Sequence, residues 1–224
     1  MAETETRREK KERHRSSSSM ERRLIDSIRR GQPVEELFAM EVSDIARPVP
    51  PSNGTYFHRA LDCYAKQPSE GGQEIIQRFI CVLRDSVWPP ELLQADKNGK
   101  NFLHFAATTS NPDILTSVME LVQEPEVFLR LLQTQETAEQ RTPLHYIFRF
   151  RFPISIIKTI RKRVGKRAFE QLLQVQDNKG MSPFHVCVFR HTPDAIRAML
   201  ALLRDKAPAY IMLNTQDNRV CTFV

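Results

Sequence analysis

Histidine is the side chain in this sequence best suited to proton transfer, because its unperturbed pKa of about 6.5 lies close to neutral pH. His145 lies three residues after Thr142, in the stretch QRTPLHYIF at 140–148. A general base at this position would need a nucleophile or a substrate beside it. The alternative is a structural role, and recurrence of the stretch along the chain distinguishes the two.

The stretch does recur, as a repeat centred on four histidines. Aligned on His58, His104, His145 and His185, the four copies read NGTYFHRALDCY, NGKNFLHFAATT, EQRTPLHYIFRF and NKGMSPFHVCVF. The histidines lie 46, 41 and 40 residues apart. Four equivalent positions in stacked units cannot each belong to an active site, so we predict a structural role for them. We expect no catalytic, metal-binding or cofactor-binding residue, and therefore neither an enzyme nor a bound cofactor.

Each copy predicts two helices and a third short apolar segment. Pro112, Pro153 and Pro193 each lie eight residues after a histidine, and proline is tolerated at the first position of a helix. Second helices, with apolar residues at three- and four-residue spacing, are predicted at 73–83, 112–122, 153–164 and 193–203. The third segments could be helical or extended, and they lie at 89–96, 127–136, 168–177 and 210–217. One such unit cannot bury its own apolar faces, so the copies must stack into a solenoid.

This unit resembles the ankyrin repeat, whose signature is T-P-L-H-x-A. The third copy reads TPLH from Thr142 to His145, and the fourth reads SPFH from Ser182 to His185. The resemblance implies an all-α, ankyrin-type helical repeat solenoid, in which the hydroxyl of Thr142 or Ser182 hydrogen-bonds with the histidine ring at the turn. The period exceeds the family's 33 residues, which implies elongated inter-repeat segments. HEAT and armadillo repeats of about 40–47 residues fit the period better, whereas the TPLH register and the turn sequences DKNG (96–99) and DNKG (177–180) favour ankyrin.

The sequence divides into three regions. Residues 1–19 are polar and of low complexity, and we predict a disordered basic tail. Residues 20–46 predict a helix that ends at Gly31 and resemble a degenerate half-repeat that would cap the array. About four repeats fill 47–224. Residues 215–224 align with the beginning of the fourth copy, so we expect the chain to continue into a further repeat, with a divergent terminus as the alternative.

The resemblance implies a protein partner that contacts the turns and the first helices. A net charge of +6 and a pI near 9.3 favour an acidic partner. The candidate contact residues are Lys97, Asn98, Lys100, Glu139, Gln140, Arg141, Arg149, Asn178, Lys179 and Arg190.

Besides the basic tail, a second group of basic residues surrounds the end of the second helix in the third copy. It is a candidate for binding an acidic partner or a phosphate, and a solvated helix end is the alternative. Its members are Lys158, Arg161, Lys162, Arg163, Lys166 and Arg167.

Several classes of protein lack support in the sequence. No glycine-rich nucleotide-binding motif, no CxxC pair and no apolar stretch of about 18 residues occurs. We therefore expect no transmembrane segment, and we interpret the four cysteines as small buried residues. The charged first residues exclude a secretory signal peptide, which favours an intracellular protein, cytoplasmic or nuclear.

We predict a non-catalytic interaction module or scaffold that binds a protein partner through the repeat array. One alternative is the regulatory N-terminal repeat region of a longer enzyme or channel. Another is a nuclear nucleic-acid-associated factor, since the basic residues before Ser16 could form an import signal or a phosphate-binding arm. No nucleic-acid-recognition motif accompanies this charge, so nucleic acid is the less favoured partner. The sequence leaves the oligomeric state open.

Overall fold

The computed structural model describes residues 7–31, 35–50, 52–190 and 193–203. These residues are mostly helical, which confirms the prediction of an all-α chain, and the strands among them form one short antiparallel pair. The chain divides into two compact units, the first ending at Lys97 and the second beginning at Asn98. The predicted start of a further repeat at 215–224 lies outside the described residues.

The first unit combines helices of very different lengths with a two-stranded ribbon. Its elements are α1 (Arg7–Arg30), α2 (Glu35–Phe38), α3 (Val42–Ile45), β1 (Pro48–Val49), β2 (Gly54–Thr55), α4 (Tyr56–Lys66), α5 (Glu70–Arg84) and α6 (Pro90–Leu93). α1 packs against α4 and α5, which also pack against each other. The two strands pair with Pro48 opposite Thr55 and Val49 opposite Gly54. β2 leads directly into α4, so the ribbon fixes where that helix begins.

Helix α1 begins at Arg7 and continues to Arg30, so residues 7–19 are helical where the sequence predicts a disordered tail, and residues 1–6 lie outside the described residues. The helix predicted after residue 20 is present, and the basic segment before it extends the same helix. Glu, Lys and Arg are good helix formers, so a segment rich in them can lengthen a helix that Leu24 and Ile28 anchor by complete burial. Gly31, with a φ of +63°, ends the helix as predicted.

The end of α1 and the beginning of α5 approach closely. Ser69 caps α5 by accepting a hydrogen bond from the Gly72 N–H (3.0 Å), and its hydroxyl donates to the Ile28 carbonyl (2.5 Å). A Cβ at Gly71 would overlap the carbonyl group of Gly31. Glycine is required at position 71 because the two backbones meet there.

The second unit is a succession of short helices. Its elements are α7 (Phe102–Thr108), α8 (Pro112–Leu121), α9 (Pro125–Gln133), α10 (Pro143–Arg149), α11 (Ile154–Val164), α12 (Lys166–Leu172), α13 (Pro183–Arg190) and α14 (Pro193–Leu203). α10 packs against both α7 and α13, so the first helices of successive copies are neighbours. α11 packs against α9, α12 and α14.

The helix starts in the second unit follow the prolines. α8 begins at Pro112 and α14 at Pro193, as predicted, whereas Pro153 is the N-cap one residue before α11. The third segments, which the sequence left open, are helical where the structure describes them, as α6, α9 and α12. Phe128 in α9 and Phe169 in α12 are fully buried, and this burial explains why these segments form helices against the core.

The cysteines follow the prediction only in part. Cys63 and Cys187 are buried, as expected of small apolar residues, and burial raises the pKa of the Cys187 thiol to about 12. Cys81 is exposed, because α5 buries the neighbouring positions Ile80 and Leu83 instead. Cys221 lies outside the described residues.

Replacing Gly71 with alanine should lower the free energy of unfolding by about 1–3 kcal/mol, because α1 and α5 must separate to accept the methyl group. Urea unfolding followed by circular dichroism measures this change. Glu74→Ala, at an exposed position of the same helix, is the matched control and should change the free energy by less than about 0.5 kcal/mol. Equal effects of the two substitutions would contradict the close approach at Gly71.

Candidate functional site

The four repeat histidines occupy the same place in four helices. Each is the third residue of its helix, in α4, α7, α10 and α13. The Nδ1 atom of each ring accepts a hydrogen bond from the backbone N–H of the N-cap residue; these distances are 3.1 Å for Thr55, 3.2 Å for Asn101, 3.0 Å for Thr142 and 3.1 Å for Ser182. The hydroxyls of Thr142 and Ser182 lie 2.9 and 2.8 Å from the same nitrogen, so the contacts that the ankyrin resemblance implies are present.

Two of these rings also reach the next copy of the repeat. A backbone N–H can only donate, so Nδ1 carries no proton and Nε2 must carry it. The Nε2–H of His104 then donates to the Arg141 carbonyl (3.1 Å), and that of His145 donates to the Met181 carbonyl (3.0 Å). Arg141 and Met181 directly precede the N-caps of α10 and α13. Each ring therefore joins the start of its own helix to the turn that begins the next one.

Burial keeps these two rings neutral. Loss of solvent lowers the pKa of His104 and of His145 to about 4, although the hydrogen bonds to the Arg141 and Met181 carbonyls oppose this shift. At pH 7 both imidazoles are uncharged, and both nitrogens of each are engaged in hydrogen bonds. Each ring therefore has a structural role, because it holds two turns together through hydrogen bonds to the backbone.

Buried carboxylates hold the turns themselves. Glu136 accepts hydrogen bonds from the N–H groups of Ala138 (2.9 Å), Glu139 (2.8 Å) and Arg141 (3.3 Å). Burial raises the pKa of Glu136, but these three donors, together with the charge of Lys100, outweigh it and the net pKa is lowered. Glu136 is not among the site residues predicted from the sequence. The available signal was an acidic residue eight or nine residues before the histidine, which recurs as Glu136 before His145 and Asp177 before His185.

Backbone hydrogen bonds link successive turns of the second unit. The Thr137 N–H donates to the Asn98 carbonyl (2.8 Å), and the Asn178 N–H donates to the Glu139 carbonyl (2.9 Å). The Asn178 side chain adds a bond to the Ala138 carbonyl (3.1 Å). Three of the candidate contact residues, Asn98, Glu139 and Asn178, therefore have a role in joining the turns.

Four other candidate contact residues lie together in a cleft of about 440 Å³ between α10 and α13. We call it the α10–α13 cleft. Its cationic residues are Arg141, Arg149, Lys179 and Arg190.

Two of these cations form ion pairs with neighbouring carboxylates of the protein. The Arg141 guanidinium pairs with Glu139 and with the fully buried carboxylate of Asp177 (3.1 Å), and Lys179 pairs with Glu139 (3.1 Å). Arg149 and Arg190 are exposed and form no ion pair with any residue that the structure describes. The cleft therefore carries an excess of positive charge.

The remaining candidates do not line the cleft. Lys97 belongs to the first unit, and Gln140 is exposed in a turn with a φ of +55°. The Lys100 ammonium lies 5.6 Å from the centre of the Tyr146 ring, at a distance suited to a cation–π contact. Four of the ten candidates predicted from the sequence thus line the α10–α13 cleft, and the other six lie outside it.

The second basic group does not act as one surface. Arg163 donates hydrogen bonds to the carbonyls of Met119 and Val122 at the end of α8, and its guanidinium lies 4.0 Å from the centre of the Phe128 ring. It is a structural residue that caps a neighbouring helix. Lys158, Lys162 and Arg167 are exposed, whereas Arg161 and Lys166 are half-buried.

Metal and membrane features are absent from the described part of the chain. Its His, Cys, Asp and Glu side chains nowhere cluster in the way that would hold a metal ion. None of the helices within those ranges has the length and apolar character needed to cross a bilayer.

Acid should destabilise the protein through His104 and His145. Their pKa is about 4 in the folded chain and about 6.5 when exposed, so the unfolded chain binds protons first as the pH falls. Stability that is present above about pH 6.5 is lost progressively toward pH 4, and the free energy of unfolding should fall by about 2–4 kcal/mol from pH 7 to pH 5. Urea unfolding at both pH values measures the change. His104→Gln should remove about half of the difference, and a free energy that is equal at both pH values would contradict the assignment.

Arg163→Ala should lower the free energy of unfolding by about 1–3 kcal/mol, because two helix-end carbonyls and one ring face lose their partner. Lys162→Ala removes the same charge from the exposed neighbouring position and should cost less than about 0.5 kcal/mol. Chemical unfolding of the two variants beside the wild type makes the comparison. Similar losses in both would show that Arg163 contributes only its charge.

No protein-family model matches this sequence, and no curated protein shows significant similarity to it.

Proposed function

We propose that this chain is a non-catalytic interaction module of ankyrin-type repeats, which binds a protein partner inside the cell through its turns and first helices. Support comes from the second unit, where α7, α10 and α13 are successive neighbours and the turns before them are joined by backbone hydrogen bonds. The histidine bonds across copies add to the same regularity. A stacked surface of this kind can hold contact residues in fixed positions.

The α10–α13 cleft is the observation that carries the proposal. Its cations come from two copies of the repeat, two from turns and two from the ends of first helices. Arg141 is held by buried and half-buried carboxylates, so this part of the cleft is formed before any partner arrives. A preformed, positively charged surface favours association with an acidic partner.

Affinity capture from extracts of the source cells tests this function. The full chain serves as bait, beside an Arg149→Glu/Arg190→Glu variant of the cleft and a Lys158→Glu/Lys162→Glu control. The control makes the same change of charge at exposed positions of α11. We expect the wild type and the control to retain the same protein, and the cleft variant to lose it.

Equal capture by all three baits would contradict the proposal that this face binds the partner. Binding of no protein by any bait would contradict the interaction module itself. Circular dichroism of the three chains verifies that the substitutions leave the helices intact, as expected for exposed side chains.

A further inference from the structure

The third and fourth copies each place an arginine and a phenylalanine at the end of the first helix. α10 ends at Arg149 with Phe150 as its C-cap, and α13 ends with Phe189 and Arg190. The first two copies have Asp-Cys and Thr-Thr at the corresponding positions. The combination of cation and aromatic ring is therefore confined to the two copies that form the α10–α13 cleft.

Both phenylalanines are exposed, Phe150 by 38% and Phe189 by 64%. Most other phenylalanines of the described residues are buried in the core. Phe189 lines the cleft together with Met181 and Val186, so the cleft has an apolar side as well as a cationic one. An exposed aromatic ring in a concave site is typical of a contact surface.

The volume of the cleft, about 440 Å³, is suited to a side chain with its neighbouring backbone and not to a whole domain. The apolar side and the cationic side of the cleft together favour a ligand that has an apolar group next to a negative charge. A peptide segment with a large apolar residue among acidic ones has both properties.

The distribution of charge favours carboxylates over a phosphate group. Glu139 and Asp177 already engage Arg141 and Lys179, so these cations are not available to converge on one phosphate. Arg149 and Arg190, which have no ion pair among the described residues, lie on different helices. Each guanidinium can bind one carboxylate in the bidentate geometry that arginine prefers.

We propose that the α10–α13 cleft binds an acidic peptide segment of the partner that carries one large apolar side chain. The apolar side chain packs on Phe189, beside Met181 and Val186, and flanking carboxylates pair with Arg149 and Arg190. This inference rests on the proposed protein-binding function and adds the chemistry of the bound segment.

Fluorescence anisotropy with the full chain tests the inference, using labelled pools of synthetic peptides of about ten residues. In the acidic pool, one central Leu, Phe or Trp is surrounded by Asp, Glu and Gly. Three matched pools replace the acidic residues by Asn and Gln, the central residue by Ala, or the acidic residues by phosphoserine. We expect the acidic pool to bind at least about tenfold more tightly than the neutral and the alanine pools.

Variants of the protein locate the binding. Arg149→Gln/Arg190→Gln should weaken binding of the acidic pool by about 30-fold, and Phe189→Ser should weaken it by about tenfold. Lys158→Gln/Lys162→Gln, which removes two exposed cations outside the cleft, should change it by less than about threefold. The three sites are exposed, so circular dichroism should report an unchanged fold.

Three results would overturn the inference: equal binding of the acidic and neutral pools, equal weakening by the control variant, or no binding of any pool. Tighter binding of the phosphoserine pool than of the acidic pool would assign the cleft to phosphopeptides instead. If the peptides fail but affinity capture still depends on Arg149 and Arg190, the protein-binding function stands and only the stated peptide chemistry is wrong.

Discussion

A neutral histidine held between two turns is the interaction on which the second unit depends. Its Nδ1 accepts from the N-cap of its own helix, and its Nε2–H donates to the carbonyl that precedes the next helix, as at His104 and His145. One donor and one acceptor on a rigid ring match one acceptor and one donor on the backbone. Charging a buried ring leaves the N-cap N–H without its acceptor, and removing the ring leaves both backbone groups without a partner, at a cost that water does not offset.

The cleft follows from these turns. The carbonyl that His145 binds belongs to Met181, a residue of the cleft wall, and the carboxylate of Asp177 holds both that turn and the Arg141 guanidinium. Local turn chemistry thus fixes the backbone, the backbone places α10 beside α13, and the helix ends leave Arg149 and Arg190 exposed at the cleft. Most polar groups of the turn thus form hydrogen bonds or ion pairs within the protein, and of the cleft cations only Arg149 and Arg190 form no ion pair among the described residues.

Much of this arrangement could be read from the sequence, because it depends on short-range chemistry. Four histidines in register, a hydroxyl or amide three residues before each, and prolines eight residues after three of them specify turns and helix starts. The features that could not be predicted from the sequence depend on tertiary contacts. The third segments are helical because Phe128 and Phe169 are buried against the core. The structural role of Arg163 depends on its contacts with the end of α8 and the Phe128 ring, which the sequence does not indicate. The polarity of the basic tail predicts disorder, whereas its Glu, Lys and Arg residues also have high helix propensity, and α1 begins at Arg7.

The protonation state of the His145 ring is the most direct test, because the link between the two turns requires the ring proton to lie on Nε2. Two-dimensional NMR of protein labelled with ¹⁵N on histidine distinguishes the two neutral tautomers and the charged ring. We predict a neutral ring with its proton on Nε2 at pH 7, still neutral at pH 5 because the pKa is about 4. A proton on Nδ1, or a ring that becomes charged above pH 6, would contradict it.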